Sequence, residues 1–158
     1  MVYIITGKIN QGKNSLAYSL YKSNRIGDGF LAPKLFVDSQ FAGYQIQHLS
    51  SGEKQPMAFL ESHLPENKEV RFRFQNFAFT EQGFELANSI IDKIIKKKIS
   101  PVFIDEIGPV ELFEKRGLYK LFDRVLQENC DVIVVVRNFL VERLLDIYKI
   151  RNYELIKA

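Results

Sequence analysis

Val2-Tyr3-Ile4-Ile5-Thr6-Gly7-Lys8-Ile9-Asn10-Gln11-Gly12-Lys13-Asn14-Ser15-Leu16 decides the fold of this chain. Val2 to Thr6 is a short run of β-branched and aromatic residues, the signature of a buried strand, and Gly7 ends it. Gly7 to Asn14 is small and polar. From Lys13 to about Ser23, Leu16, Ala17, Leu20 and Tyr21 recur at helical spacing. The reading is strand, glycine loop, helix. Gly7, Gly12 and Lys13 also fit the spacing G-x-x-x-x-G-K. Glycines at those places let successive backbone N–H groups turn inward around phosphate oxygens. The following helix adds its positive end, and the lysine ammonium reaches the β- and γ-phosphates. The stretch Gly7, Lys8, Ile9, Asn10, Gln11, Gly12, Lys13, Asn14 and Ser15 is therefore the candidate nucleotide-binding loop. The motif asks for a hydroxyl on Mg²⁺ where this chain has Asn14. An amide oxygen can ligate Mg²⁺ but is bulkier, and Ser15 lies about 100° further round the helix.

Further along, the text changes character. From about residue 29 to 75, strand-like runs (Phe30 to Val37, Gly43 to Leu49, Pro56 to Leu60, Val70 to Phe74) follow one another with few helix signals, so antiparallel hairpins are expected. Thr80 is placed to cap a helix to about Lys98, with Ile90, Ile91, Ile94 and Ile95 on its apolar face. Pro101 to Asp105 and Val132 to Val136 are apolar strands separated by an amphipathic helix from Leu118 to Asn129. A last helix from Leu140 to Tyr148 and a weak strand from Glu154 to Lys157 complete the pattern. Fully apolar strands alternating with helices predict a parallel sheet covered on both faces. The fold class is α/β: one P-loop domain over residues 1–158, with a mostly parallel sheet flanked by helices and a β-hairpin-rich insertion at about 29–75.

Composition narrows the partners. The chain has 158 residues and a formal net charge of +3, which suits a polyanion such as a nucleotide without arguing for nucleic acid. Its one cysteine, Cys130, allows no internal disulfide, and no run is apolar enough to span a bilayer, so a cytoplasmic protein is expected.

Val102-Phe103-Ile104-Asp105-Glu106 is an apolar strand ending in two acids. In a parallel sheet, ligands sit beyond the carboxyl ends of the strands, on the rim that also carries the phosphate loop. Asp105 is thus the candidate Mg²⁺ ligand together with Asn14, and Glu106 the group that polarises the attacking water. By analogy, an acid pair of this kind implies an extra strand between the loop strand and the acid strand. Arg137 ends the third apolar strand, so it reaches the same rim. It either stabilises charge on the transferring phosphoryl group or pairs with a structural carboxylate. Glu111 either orients the site or caps the local turn.

Asp105-Glu106-Ile107-Gly108-Pro109-Val110-Glu111-Leu112, together with the N-terminal loop and Val134-Val135-Val136-Arg137, resembles the THEP-type small nucleoside-triphosphatases, the family of the cancer-related nucleoside-triphosphatase, particularly its bacterial branch. The resemblance runs over essentially the whole chain. It implies a RecA-like P-loop fold, slow Mg²⁺-dependent hydrolysis of ATP, GTP and other triphosphates, and the roles given above for Gly7 to Ser15, Asp105 and Glu106. Two departures stand out. Relatives usually carry Thr at the position of Asn14, and often basic residues at Phe36, Gln40 and Phe41.

Two rival functions share the same loop. A kinase would pass the γ-phosphate to a small acceptor, and it needs an arginine-bearing lid that the sequence does not show. A nucleotide switch would bind without turnover and use its Phe-rich hairpin for a partner. Other features have duller readings. Lys96-Lys97-Lys98 complements a helix end, and Lys115 and Arg116 sit on a solvated loop. Arg71-Phe72-Arg73-Phe74 reads as a strand with Phe inward rather than a nucleic-acid platform, and His48 and His63 read as isolated.

Overall fold

The computed structural model describes residues 1–7 and 13–158. Lys8, Ile9, Asn10, Gln11 and Gly12 of the expected loop, and the side chain of Asn14, lie outside the described residues. Along the chain run β1 (Val2–Gly7), α1 (Lys13–Asn24), β2 (Asp28–Leu31), β3 (Lys34–Val37), β4 (Gln40–His48), β5 (Lys54–Leu60), β6 (Phe72–Phe74), β7 (Phe77–Phe79) and α2 (Glu81–Lys97). Then come β8 (Val102–Asp105), α3 (Pro109–Glu114), α4 (Tyr119–Leu126), β9 (Val132–Arg137), α5 (Val141–Ile147) and β10 (Tyr153–Lys157). All the strands belong to one mixed sheet of order β10-β1-β9-β8-β2-β4-β5-β7-β6, with β3 paired to β4.

The half from β10 to β2 is parallel. Its inner strands β1, β9 and β8 are apolar because both faces are covered, while the edge strand β10 is mostly exposed. On one face Ile5 and Val135 pack with Ala17 of α1. On the other, Ile4, Val134 and Ile104 join Phe84, Ala87, Ile91 and Ile94 of α2 and Phe122 of α4. Neighbouring residues on a strand point to opposite faces, so Ile4 and Ile5 serve separate cores. The strand β9 lies between β1 and β8, the extra strand that the acid pair implies. No described helix is long and apolar enough to cross a membrane.

The other half is antiparallel. Here the structure corrects one expectation. The run from Phe30 to Val37 is two strands rather than one. Its first part is β2, which pairs in parallel with β8, and its second is β3, which pairs with β4 off the main strand order. The break falls at Ala32-Pro33, where proline removes a ladder donor. In addition, β7 and α3 carry no clear local signal and were not expected. Asp38 and Ser39 join β3 to β4 with φ of +50° and +64°, the backbone of a two-residue turn that matches strand twist. Thr80 does take the extended N-cap conformation before α2, but its hydroxyl makes no capping bond.

Candidate active site

Parallel pairing aligns the carboxyl ends of three strands. Gly7 of β1 is opposite Arg137 of β9, and Asp105 of β8 is opposite Val135. Gly7, at which the expected loop begins, the acid pair and Arg137 therefore share one rim. Lys13, the first residue of α1, is 6% exposed there. Ser15 is exposed on the first turn of the same helix. That turn carries no acid, leaving the positive end of the helix for an anion.

Asp105 is fully buried, and its Oδ2 accepts the Ala32 N–H at 2.9 Å. The donor comes from the chain just beyond β2, so the strand break at Pro33 helps to fix this carboxylate. Glu106 follows immediately, and its Oε1 accepts the Arg137 Nε–H at 3.0 Å. Both side chains of that ion pair stay about a quarter exposed, 28% for Arg137 and 25% for Glu106. The rim thus presents a rigid buried carboxylate next to a paired, solvent-reachable one. Hard oxygen donors of this kind fit Mg²⁺, which takes one or two carboxylates and completes its shell with phosphate oxygens and water.

The model of the NTPase family matches residues 2–157. The chain belongs to the NTPase family. This NTPase is also similar in structure to THEP1 from the hyperthermophile Aquifex aeolicus, with a TM-score of 0.69 and 23% identity over 99% of this chain and 89% of that one. The solution structure of a human cancer-related nucleoside triphosphatase aligns with a TM-score of 0.67 and 20% identity, covering 99% of this chain and 87% of that one. At such identities the two structures speak for the fold. No curated protein sequence matches the chain significantly. From its family, the protein is a nucleoside-triphosphate hydrolase.

Around the acid pair, this NTPase adds residues that the sequence did not single out. A cavity of about 150 Å³ opens beside Glu106 and Arg137, with Ala32, Tyr44 and Phe77 in its lining. Burial, followed by the nearby Glu106 charge, pushes the Tyr44 hydroxyl above its ordinary pKa, so it stays a protonated donor. Tyr44 reaches the site because β4 lies beside β2, a pairing without local signature.

Glu111 resolves into a structural tie. It is 6% exposed. Its Oε1 accepts the Gly108 N–H at 3.0 Å, as the third residue of α3 reaching back to the cap. Its Oε2 accepts the Leu118 N–H at 2.9 Å, which joins the start of α3 to the start of α4. Burial pushes its carboxyl from the ordinary 4.5 up to about 7, against the pull of these two N–H groups. The folded carboxyl therefore holds its proton more tightly than the unfolded one. The stability this confers is complete below pH 4.5 and is lost as pH rises through about 7. Urea unfolding between pH 4.5 and 7.5 should show wild type losing on the order of 3 kcal/mol relative to Glu111→Gln. Parallel curves would contradict this account.

His48 is not isolated. Its Nε2 lies 2.8 Å from Asp28 Oδ2, its Nδ1 lies 2.7 Å from Ser51 Oγ, and Ser50 Oγ donates to the same Asp28 oxygen at 3.0 Å. The cluster sits at the amino end of β2, away from the rim, and ties the β4–β5 turn to the parallel sheet.

Proposed function

We propose that this NTPase binds a nucleoside triphosphate with Mg²⁺ on this rim and hydrolyses it to diphosphate and phosphate, with little preference for the base. What supports the reading most is the meeting of the loop strand, Asp105, Glu106 and Arg137 at one sheet edge. The loop amides with Lys8, Gly12 and Lys13 hold the phosphates, and Asp105 with Asn14 would hold the Mg²⁺. When bound, Mg²⁺ neutralises charge on the β- and γ-phosphate oxygens. Glu106 orients a water and takes its proton as the water oxygen attacks the γ-phosphorus. The bond to the β–γ bridging oxygen breaks, and the diphosphate leaves.

Arg137 keeps Glu106 in place with Nε–H. A guanidinium has four further N–H donors, which can meet negative charge building on the transferring phosphoryl group. Removing it acts on the transition state more than on binding. Steady-state kinetics of Arg137→Ala should show kcat falling about a hundredfold, with KM changed by less than about threefold. Equal losses in kcat and nucleotide affinity would assign Arg137 to binding or folding instead. The single cysteine suits a reducing, cytoplasmic setting for this reaction.

A further inference from the structure

Away from the rim, a groove of about 570 Å³ runs between the chain before β6 and the turn joining α3 to α4, with Arg71, Asn88, Lys115, Arg116, Tyr119 and Lys120 in its lining. Two acids approach these four cations, and neither neutralises its partner firmly. Glu81 lies 3.6 Å from Arg71 and Glu114 lies 3.8 Å from Arg116, with all four side chains at least a third exposed. Exposed pairs at such distances contribute little. Three of the four cations lie against aromatic rings, Lys115 at 5.9 Å from the Tyr119 centroid among them. Arg71 sits 4.8 Å from the Phe84 centroid and Arg116 5.6 Å from that of Phe72. The groove is therefore an ordered, basic recess within the size range of small-molecule sites.

Its wall is built on Glu111. Gly117 has φ of +61°, and a Cβ there would lie 2.1 Å from Glu111 Oε2. That same oxygen holds Leu118, which borders both the groove and the cavity beside Glu106. The other oxygen holds Gly108, two residues past Glu106. One buried carboxylate thus fastens the groove wall to the segment that carries the catalytic base.

We propose that this groove is a second anion site, taking a small di- or triphosphate of nucleotide size, and that its occupancy changes turnover at Glu106 through the Glu111 tie. Two guanidiniums with two ammoniums match the oxygens of an oligophosphate, which guanidinium forks can grip in pairs. Single-stranded nucleic acid fits less well, because it needs open ring faces. Phe72 instead stacks on Phe79 at 4.6 Å with Arg116 over it, and Tyr119 packs against Tyr148 at 5.2 Å.

The regulatory half rests on the hydrolysis reading above; the binding half does not. Calorimetric titration of the whole protein with inorganic tripolyphosphate should give two sites on wild type and one on Arg71→Glu/Lys120→Glu. On Lys13→Ala, which disables the phosphate loop, one salt-sensitive site should remain, and adding the two charge reversals should weaken it at least tenfold. Tripolyphosphate at groove-filling concentration should also change kcat at least twofold in wild type and leave the charge-reversed variant unaffected. Equal stoichiometry in wild type and the charge-reversed variant would overturn the site, as would a uridine 12-mer that displaces tripolyphosphate from Lys13→Ala. An unchanged kcat with the groove filled would overturn the coupling. Groove binding by a protein that releases no phosphate from ATP would overturn the hydrolysis reading and leave the site assigned.

Discussion

Glu106→Gln is expected to lower phosphate release about a thousandfold, while nucleotide still binds within a few-fold of wild type. The amide keeps the size of the side chain and an oxygen for the Arg137 Nε–H now accepted at 3.0 Å. It cannot take a proton. General-base catalysis of this sort contributes roughly 10²- to 10⁴-fold, and the proposed function assigns the affinity to the loop and Lys13 rather than to Glu106. Asp105 does not replace the lost base, because it is fully buried and one of its oxygens is committed to the Ala32 N–H. Stopped-time phosphate release and equilibrium binding of a fluorescent nucleotide check the two halves separately. Loss of both together would mean that Glu106 supports the fold or the binding. Loss of neither would mean that another group positions the water.

Gly29→Ala should prevent folding or lower stability by about 4 kcal/mol or more, the range reserved for changes that the backbone cannot absorb. Gly29 has φ of +152°, and a Cβ there would lie 2.0 Å from the Phe103 carbonyl oxygen and 2.7 Å from its nitrogen. These are backbone atoms of the pairing between β2 and β8, where Gly29 is directly opposite Phe103. No rotamer relieves such an overlap, so the two strands must part. Their separation would also withdraw Ala32 from Asp105. Soluble yield and the urea midpoint measure the outcome. An unfolding free energy within about 0.5 kcal/mol of wild type would contradict the close approach of these strands.

How much of this was legible in the sequence depended on the range of each interaction. The opening strand and helix were readable because five strand-like residues and a helical repeat stand close together, with a glycine ending the strand. The parallel half was readable too, since Val102–Asp105 and Val132–Arg137 are buried on both faces and so carry no alternation. The acid pair and Arg137 could be placed on one rim from strand direction alone. Their ion pair could not, because it depends on how far two side chains reach across adjacent strands. The break at Ala32-Pro33 was hidden inside a run of strand-forming residues, and β7 is only three residues long. Helix α3 spans six residues, too few for a period to show. Tyr44, the Ala32 N–H and the His48 cluster enter through pairings between distant segments, which leave no local mark. Glu111 was visible as a choice between two roles. Only its second hydrogen bond, to Leu118, showed it to be a tie between helices.

This rim is expected to hydrolyse nucleoside triphosphates unaided. Phosphate release from ATP, GTP, CTP and UTP, with and without Mg²⁺ and with no other acceptor present, is the decisive measurement. Release from several of the four that requires Mg²⁺ is the predicted result. Nucleotide binding without any release would contradict it, and would point to a phosphoryl acceptor in the cavity beside Glu106 or to a switch.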